Sequence, residues 1–482
     1  MKLRELLAGV PICAGSADLE MEISGVSYDS RTTRPGDLFV AMTGFATDGH
    51  QYIAKALANG AAAVLCQRRP AEACAYVQTE DSRRALAVIG GNWFGHPAEE
   101  MNMIAVTGTC GKTTTTYLLK AILEQARGAK VGLIGTNQNM IGSDVIPTER
   151  TTPESFEVQK LFREMADAGC THVVMETSSH ALYLDRVYGV RYDVGIFTNL
   201  TQDHLDFHKT MENYCDAKAI LFRNCVTGVV NADDPWTPRL LKDADCKVMT
   251  YAEQADADLR AENIVLSAGG IAFDAVSGAE RVPIRVNIPG GFMVYNTLDV
   301  LGAALALGIS LEESAAVLAK VPHVKGRVEI VPTPDKDYTI LIDYAHTPDS
   351  MVNVLQTVKE FAKGRTVAVF GCGGDRDRTK RPLMGKAAAD WSDFAVVTTD
   401  NPRTEEPEAI IADILPGFDG SATPYHVVVD RIEAIHWAMD HAEKDDVIVL
   451  CGKGHETYQE VNHVKHHMDE REIVADYLSS GR

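Results

Sequence analysis

A short apolar strand that runs directly into a glycine-rich turn and an amphipathic helix is the feature that most constrains this fold. Residues Met103–Thr107 form the apolar run, and the chain continues as GTCGKTTTTYLLKAILEQA. Backbone N–H groups at a helix N-terminus bind phosphate oxygens, and glycines let the backbone approach them closely. The pattern therefore predicts an ATP-binding loop made of Gly108, Thr109, Cys110, Gly111, Lys112, Thr113 and Thr114. In such a loop the Lys112 ammonium reaches the β- and γ-phosphates, and the Thr113 hydroxyl is placed to bind Mg²⁺.

Short apolar runs alternate with helical patterns along the rest of the chain, which predicts an α/β fold with parallel sheets. The predicted strands are His172–Met175, Val194–Thr198, Gly228–Asn231, Thr339–Asp343, Thr366–Gly371, Phe394–Thr399 and Val447–Cys451, and the predicted helices include Tyr52–Ala63, Asn296–Leu307 and Ser314–Lys320. A chain of 482 residues suggests about three domains. We predict a small N-terminal α/β domain (1–99), a central domain whose mainly parallel sheet carries the phosphate loop (100–326), and a Rossmann-like C-terminal α/β domain (327–482).

The net charge and the cysteine pattern limit which molecules this chain can bind. The chain has 46 Lys and Arg against 67 Asp and Glu, a net charge of −21, so it is a poor nonspecific binder of nucleic acid or membrane surfaces. An anionic ligand must then be held by a local basic site. The 10 cysteines form no CxxC pair, and the first residues are interpreted as a helix rather than a signal peptide. We expect a cytoplasmic monomer that acts on small molecules and has no membrane-spanning segment.

Three further side chains could complete a metal site near the phosphate loop. Glu176 closes an apolar strand and His204 follows another, and open α/β sheets place ligands at these carboxyl ends. Lys218 lies in a helical pattern further along the chain. Carboxylate and ATP oxygens suit Mg²⁺. Taken singly, each residue also has an ordinary interpretation: a partner of a helix cap, a turn residue and a solvated lysine.

Several motifs resemble one known group of enzymes. The loop TGTCGKTTT resembles that of the Mur ligase and folylpolyglutamate synthase superfamily, usually TGTNGKTTT, with Cys110 in place of Asn. Further matches, in chain order, are Tyr28–Ala41 (family DSRxxxPGDLFVA), Pro289–Asn296 (PGxFNVYN, with Met293 replacing Asn), Gly326–Glu329 (GRxE) and Asp343–Pro348 (DYAHxP). The resemblance covers essentially the whole chain.

The resemblance implies roles for residues around ATP. Asn296, Arg327 and Asp343 would contact the nucleotide, and an ATP site shared by two domains would require closure for catalysis. Two Mg²⁺ ions would be bound with the help of Thr113, Glu176, His204 and Lys218. In the family this lysine carries a carbamate derived from CO₂ (N6-carboxylysine), which turns a cation into a metal ligand.

The resemblance also implies an activity and an acceptor site. The expected reaction is ATP-dependent amide-bond formation on UDP-N-acetylmuramoyl-L-alanyl-D-glutamate through an acyl phosphate, in peptidoglycan precursor synthesis. The acceptor nucleotide would be held by Tyr28, Ser30, Phe45, Ala46, Thr47, Thr151, Thr152, Ser178 and Arg186. Two departures affect this set: Arg150 stands where Asn often precedes the Thr pair, and Leu184 stands where some members have Gln.

Three predicted strand ends in the last third of the chain carry the candidate amino-acid pocket. Its residues are Arg376, Asp400, Asn401, Pro402, Arg403, Gly452 and Glu456. Arg403 offers a bidentate fork to a second carboxylate, and Glu456 can accept a distal ammonium. A lysine pocket would leave Arg403 buried without a partner, so we expect meso-diaminopimelate as the substrate. The alternatives are the same ligase acting with L-lysine, and a folylpolyglutamate synthase-type ligase.

Overall fold

The computed structural model describes residues 1–44, 47–148, 150–267, 269–321 and 324–480. The chain divides into two compact units. The first contains Met1–Asp258 and Asp299–Ile309, and the second contains Leu259–Leu298 and Ser310–Arg482. The helix Phe292–Ala306 begins in the second unit and ends in the first. The boundaries of the three domains remain a prediction.

The N-terminal part of the first unit is a five-stranded sheet in the order β1-β5-β4-β3-β2. Its strands are β1 (Ala14–Gly15), β2 (Gly25–Ser27), β3 (Asp37–Val40), β4 (Ala63–Cys66) and β5 (Tyr76–Gln78), and its helices are α1 (Leu3–Leu6), α2 (Ile53–Ala58) and α3 (Ser82–Phe94). Strands β2 to β5 are parallel. The helix predicted over Tyr52–Ala63 ends early, because the chain turns after Ala58 so that Ala63 can begin a buried strand.

The phosphate loop belongs to the larger sheet of the first unit, in the order β13-β12-β11-β6-β10-β7-β8-β9. Its strands are β6 (Asn102–Thr107), β7 (Val131–Ile134), β8 (Asn139–Ile141), β9 (Asp144–Ile146), β10 (His172–Glu176), β11 (Tyr192–Phe197), β12 (Cys225–Asn231) and β13 (Lys247–Ala252). The helices are α4 (Lys112–Arg127), α5 (Ser155–Asp167), α6 (Ser179–Tyr183), α7 (Leu205–His208), α8 (Met211–Ala219) and α9 (Thr237–Leu240). Because β6 is parallel to both β10 and β11, the loops after these three strands leave one edge of the sheet.

The second unit begins with an antiparallel arrangement of β14 (Leu259–Ser267), β15 (Gly270–Ser277) and β16 (Glu280–Val286). Helices α10 (Phe292–Ala306) and α11 (Leu311–Leu318) follow. A six-stranded sheet then forms in the order β17-β18-β22-β19-β20-β21. Its strands are β17 (Glu329–Val331), β18 (Thr339–Asp343), β19 (Thr366–Phe370), β20 (Phe394–Val397), β21 (Tyr425–Val427) and β22 (Val447–Cys451).

The remaining elements of the second unit are helices around this sheet and one hairpin. They are α12 (Pro348–Lys359), α13 (Lys380–Trp391), α14 (Pro407–Ile414), α15 (Arg431–Asp440), the hairpin β23 (Tyr458–Val461) and β24 (Val464–His467), and α16 (Glu470–Ser479). Apart from β17, the strands of the six-stranded sheet are parallel. The predicted α/β fold class is confirmed. Within the described ranges, every helix is too short or too polar to cross a membrane.

Candidate active site

The phosphate loop is shaped by contacts of its backbone. Gly108 has φ 153° and Gly111 has φ 89°, and α4 begins at Lys112. A Cβ atom on Gly108 would lie 1.8 Å from the Thr198 hydroxyl, so only glycine fits there. That hydroxyl donates to the carbonyl of Cys110 at 2.6 Å. The loop is therefore held against the end of β11, with the N-terminus of a 16-residue helix directly after it.

Asn199, which was not among the predicted site residues, holds the same loop through its side chain. Its Oδ1 accepts from the Cys110 N–H at 3.0 Å, and its Nδ2 donates to the Cys110 carbonyl at 3.2 Å. Its own carbonyl accepts from the Thr109 N–H at 2.9 Å. The sequence did contain a signal for this role, since the polar pair Thr198-Asn199 directly follows an apolar strand. Because β11 is parallel to β6, the residues after both strands lie at the same edge of the sheet.

The amino groups of two lysines converge on one loop carbonyl. Lys112 Nζ donates to the carbonyls of Gly108 and Thr109 at 3.0 and 2.8 Å, and Lys218 Nζ donates to that of Gly108 at 2.8 Å. Lys218 is only 1% exposed and lies 4.4 Å from the ring centre of Tyr214. Burial, and then the charge of Lys112, lower the Lys218 pKa well below its usual range. The interpretation of Lys218 as a solvated helical lysine is therefore wrong.

Glu176 is connected to three of the predicted acceptor residues. It is fully buried at the end of β10 and accepts from the N–H and the hydroxyl of Thr136, at 2.9 and 2.8 Å. The Thr136 and Thr151 hydroxyls are 3.0 Å apart. The Thr152 hydroxyl donates to the Glu176 carbonyl at 2.9 Å and accepts from the Ser178 N–H at 3.2 Å. The structure thus brings these predicted residues into one hydrogen-bonded network.

Arg186 joins this network from the turn after α6. Its Nη1 donates to the Thr152 carbonyl at 3.1 Å, and its Nε lies 3.4 Å from the Glu154 carboxylate. Arg83 contributes a second cation at 3.6 Å from the same carboxylate. Burial lowers the pKa of Arg186. A partly buried guanidinium beside the network suits an anionic acceptor.

A cavity of about 470 Å³ lies beside this network and includes Tyr28 and Arg150 in its lining. Burial, and then a hydrogen bond with Glu157, raise the pKa of the Tyr28 phenol. Ser30 is buried, and its carbonyl accepts from the Asn59 amide at 2.7 Å. Of the remaining predicted acceptor residues, Phe45 and Ala46 lie outside the described residues. The carbonyl of Thr47 accepts from the Gly44 N–H at 3.0 Å.

His204 occupies an unusual backbone position just before α7. Its φ is 53°, its Nε2 lies 3.2 Å from Asp203, and its ring packs edge-on against that of His180 with the centroids 4.8 Å apart. The rings of His204 and Tyr214 are 6.1 Å apart, so His204 and Lys218 both pack near the same tyrosine. Among the residues that the structure describes, no three His, Cys, Asp or Glu side chains form a group that could hold a metal ion by themselves.

Three residues predicted to bind nucleotide lie in the second unit. Asn296 is 3% exposed within α10. The Asp343 carboxylate accepts from the N–H groups of Val328 and Ala345, both at 2.8 Å. Burial raises the pKa of Asp343, and the positive charge of Arg327 opposes that shift.

In the amino-acid pocket, three of the side chains that follow β20 and β22 form one cluster. Asn401 Nδ2 donates to Glu456 Oε2 at 3.0 Å, and Asn401 Oδ1 accepts from Lys453 Nζ at 2.7 Å. Lys453 Nζ also lies 3.1 Å from Glu456 Oε2. Lys453 was not among the predicted site residues, although it lies between two glycines directly after a buried strand. Asn401 and Glu456 come together as predicted.

Arg403 already has partners inside the protein. Its Nε donates to Glu460 at 3.2 Å, and its Nη1 donates to the carbonyl of Gly374 at 2.7 Å. The expectation that a lysine pocket would leave this arginine without a partner is therefore wrong, because Glu460 pairs with it in the protein alone. The guanidinium has five N–H donors, so these two bonds leave donors for a ligand carboxylate.

Asp400 and Gly452, two further residues predicted for this pocket, lie against each other. Asp400 is 7% exposed; its Oδ1 accepts from the Asn401 N–H at 2.6 Å, and its buried Oδ2 has no hydrogen-bond partner in the described part of the chain. A Cβ on Gly452 would lie 2.5 Å from that oxygen. Glycine at 452 therefore leaves room for the carboxylate. Pro402 connects Asn401 to Arg403 within this loop, and Arg376 is exposed on the neighbouring glycine-rich loop.

Two arginines of the basic run after β19, Arg378 and Arg381, are paired with acidic side chains of the protein. Arg381 is 1% exposed and pairs with Glu405 at 2.7 Å and Asp413 at 2.8 Å. Arg378 also pairs with Asp413, at 2.9 Å. The Arg381 guanidinium lowers the pKa of Glu405 to about 2. These pairs attach the glycine-rich loop to its neighbours, and Arg376 remains the candidate for a ligand.

The architecture and the phosphate loop define the class to which this chain belongs. Three family models match it: the catalytic domain of the Mur ligase family over residues 22–92, the Mur ligase middle domain over 106–304, and the glutamate ligase domain of Mur ligases over 326–454. The chain belongs to the Mur ligase family.

Within this family, the chain is similar to ligases that share one name. The chain is 48% identical over 463 residues to the UDP-N-acetylmuramoyl-L-alanyl-D-glutamate–2,6-diaminopimelate ligase of Clostridium botulinum, covering 95% of both chains. It is also 48% identical to ligase 1 of that name from Clostridium acetobutylicum, covering 99% of both. A solved structure of a ligase with the same name has a TM-score of 0.73 and 33% identity, with 100% of this chain and 99% of that chain covered.

Proposed function

We propose that this chain joins 2,6-diaminopimelate to UDP-N-acetylmuramoyl-L-alanyl-D-glutamate in an ATP-dependent step of peptidoglycan precursor synthesis. Relatives with that name match it at 48% identity along nearly the full length of both chains. The structural observation that carries the proposal is the cluster in which Asn401 and Glu456 are hydrogen-bonded beside Arg403. Such a cluster offers an acceptor for an ammonium and donors for a carboxylate within one pocket.

The balance of charges in this pocket favours diaminopimelate over lysine. The pocket and its immediate partners contain three acids and three bases: Asp400, Glu456, Glu460, Arg376, Arg403 and Lys453. The distal end of diaminopimelate carries an ammonium and a carboxylate, so it adds no net charge to a balanced pocket. The distal ammonium of lysine would add one uncompensated charge at partly buried groups, which is unfavourable. We therefore propose diaminopimelate over lysine, and we retain the meso isomer expected in the sequence analysis.

The proposed chemistry uses ATP to activate the acceptor. One oxygen of the acceptor carboxylate attacks the γ-phosphorus, the bond to the β-phosphate oxygen breaks, and ADP leaves. The amine of diaminopimelate then attacks the acyl carbon, loses a proton, and phosphate departs as the amide forms. The loop N–H groups and the Lys112 ammonium hold the phosphates and offset their charge, so positioning and electrostatics supply most of the catalysis.

Mg²⁺ is expected to accompany ATP, and the residues present fit it. Mg²⁺ typically binds through one or two carboxylates together with substrate phosphates. The Thr113 hydroxyl and the buried Glu176 carboxylate supply oxygen donors, and we propose that His204 and carbamylated Lys218 complete two such sites. When bound, Mg²⁺ neutralises charge on the phosphates.

The environment of Lys218 supports the carbamate. A protonated ammonium beside Mg²⁺ would be repelled. The lowered pKa favours the neutral amine, which is the form that adds CO₂. Nuclear magnetic resonance with ¹³C-labelled bicarbonate should show a carbamate signal that is lost in Lys218→Arg. If the signal persists in that variant, the modification is not at Lys218.

We further propose that the acceptor peptide is held by Thr151, Thr152, Ser178 and Arg186. Their shared network contacts Glu176, which links acceptor binding to the proposed metal site. The uridine diphosphate portion is assigned to Tyr28, Ser30, Phe45, Ala46 and Thr47. Asn296, Arg327 and Asp343 are assigned to the nucleotide of ATP.

Phosphate release from ATP is the direct test. Release should require both the UDP-muramoyl-dipeptide and diaminopimelate, and the product should have the mass of their amide. Release with L-lysine at equal kcat/KM would overturn the choice of amino acid. Release with a folate and glutamate, and none with the muramoyl substrate, would overturn the proposed function.

A further inference from the structure

Lys453 has 0% side-chain exposure and contacts two residues of the proposed amino-acid pocket, to which it has so far contributed only its charge. Its ammonium is 2.7 Å from Asn401 Oδ1 and 3.1 Å from Glu456 Oε2. We propose that Lys453 is a positioning residue that fixes the orientation of Asn401 and Glu456 and thereby sets the affinity for the amino acid. This inference rests on the proposed function and deepens it.

The orientation of the Asn401 amide follows from the donors around it. An ammonium has only hydrogen atoms to donate, so the atom of Asn401 that faces Lys453 must be the oxygen. The N–H of Glu460 donates to the same oxygen at 2.9 Å. The amide nitrogen is then directed to Glu456, where it donates at 3.0 Å. A flipped amide would place its NH₂ group against two donors, so Lys453 and the Glu460 N–H together select one of the two orientations.

The carboxylate of Glu456 is fixed by the same lysine. Its Oε2 accepts from both Lys453 and Asn401. Because that oxygen already has two donors, the carboxylate presents Oε1 to an incoming ammonium. The ring of Tyr458 lies 5.3 Å from the Lys453 ammonium, which adds a cation–π contact to the buried group. Charge-assisted hydrogen bonds of this kind hold side chains more firmly than neutral ones.

Kinetics of Lys453→Met separate this role from general stabilisation. Loss of the charged hydrogen bonds should raise the KM for diaminopimelate roughly 10- to 100-fold. The KM for ATP and kcat should change less than about threefold, because the phosphate loop and its lysines are unaltered. Lys453→Gln, which keeps an uncharged NH₂ donor group, should give an intermediate KM. An unchanged KM for diaminopimelate in both variants would overturn the proposal.

A double-mutant cycle and a matched control complete the test. If Lys453 acts through Glu456, then Lys453→Met should add less than about threefold to the KM when introduced into Glu456→Gln. Fully additive effects would contradict the proposal. Ile448→Ala, a buried position on the preceding strand β22, serves as the control for destabilisation. An equal rise in the KM for diaminopimelate in Ile448→Ala would show that loss of stability alone explains the effect.

Phosphate release by the wild type distinguishes a failure of the proposed function from a failure of the role proposed for Lys453. If wild type releases no phosphate with diaminopimelate, the proposed function fails. If wild type uses diaminopimelate and Lys453→Met retains its KM, only the role of Lys453 fails.

Discussion

The phosphate loop and the amino-acid pocket are built in different ways. In the loop, we propose that the polypeptide backbone binds the phosphates, and the side chains of Thr198 and Asn199 hold that backbone in place. In the proposed pocket, recognition depends on the side chains of Asn401 and Glu456, which are held by each other and by the buried Lys453. A substitution in the loop should therefore matter when it alters the backbone, whereas a substitution in the pocket should alter recognition directly.

We expect the largest loss of activity from Lys218. It is an exception to this contrast, because it is a side chain that contacts the phosphate loop and is proposed to act at the metal. Lys218→Ala should lower ligation about 10³-fold, as loss of a group that organises charge at a reacting centre does. Short carboxylic acids added to the assay should restore part of the activity by replacing the lost carboxylate. Product formation measured with and without acetate tests this.

The burial of Lys218 requires a control for folding. Lys120→Ala truncates another buried lysine of the first unit, one that pairs with Glu124 on α4. Circular dichroism and thermal unfolding should show both variants folded, with ligation retained in Lys120→Ala. Wild-type activity in Lys218→Ala would refute its proposed role at the metal.

Arg403→Ala should cause the next largest loss of activity, and it tests whether the pocket recognises its substrate through side chains. We expect kcat/KM for diaminopimelate to fall about 10²-fold, while any activity with lysine changes little, because only diaminopimelate carries the second carboxylate. Arg378→Ala removes an exposed guanidinium nearby, paired with Asp413, and should leave kcat/KM nearly unchanged. Equal losses of kcat/KM for diaminopimelate and lysine would show that Arg403 does not bind the second carboxylate of diaminopimelate.

The Arg381–Glu405 pair behind the pocket gives a smaller, pH-dependent effect on stability. The pKa of Glu405 falls from 4.5 to about 2 in the folded protein, so its stabilisation is complete above pH 4.5 and is lost as the pH falls toward 2. At pH 7, Glu405→Gln should lower the free energy of unfolding by about 1 kcal/mol, since solvent screens this carboxylate. Urea unfolding at pH 7 and pH 3 should show the difference shrinking; a gap that widens at low pH would contradict it.

Cys110→Asn should have the smallest effect, because the loop binds through its backbone. Restoring the usual family residue should change the KM for ATP less than about threefold.

Cys110 is exposed at a helix N-terminus beside Lys112, which favours the reactive thiolate. We expect alkylation of Cys110 to be fast and to be blocked by MgATP. Labelling no faster than at the other thiols, or no protection by MgATP, would show that the thiol is not activated.

The sequence predicted best what depends on the local chain. The strands Thr339–Asp343 and Val447–Cys451 have the predicted bounds, since continuous apolar runs between turn residues leave little alternative. The glycine spacing and the helix at Lys112 likewise follow from local patterns. Helix ends were less predictable: the helix predicted from Asn296 begins at Phe292.

Contacts between distant segments could not be predicted from patterns. Burial of Lys218 depends on packing against a loop 110 residues earlier in the chain, and Glu460 meets Arg403 because a hairpin returns beside it. Motif resemblance named residues such as Asn401 and Glu456 but gave no reason to select Lys453 or Asn199. Those two side chains became visible only through their hydrogen bonds.

The backbone of Arg403 has a consequence for engineering. Its φ of 52° lies in the left-handed region, which costs an ordinary side chain roughly 1 kcal/mol relative to glycine. A screen that selects only for thermal tolerance would therefore favour Gly or Asn at this position and discard the arginine. Libraries built to raise the thermal stability of this enzyme should hold position 403 constant, because a gain in stability there would remove the proposed recognition of the second carboxylate.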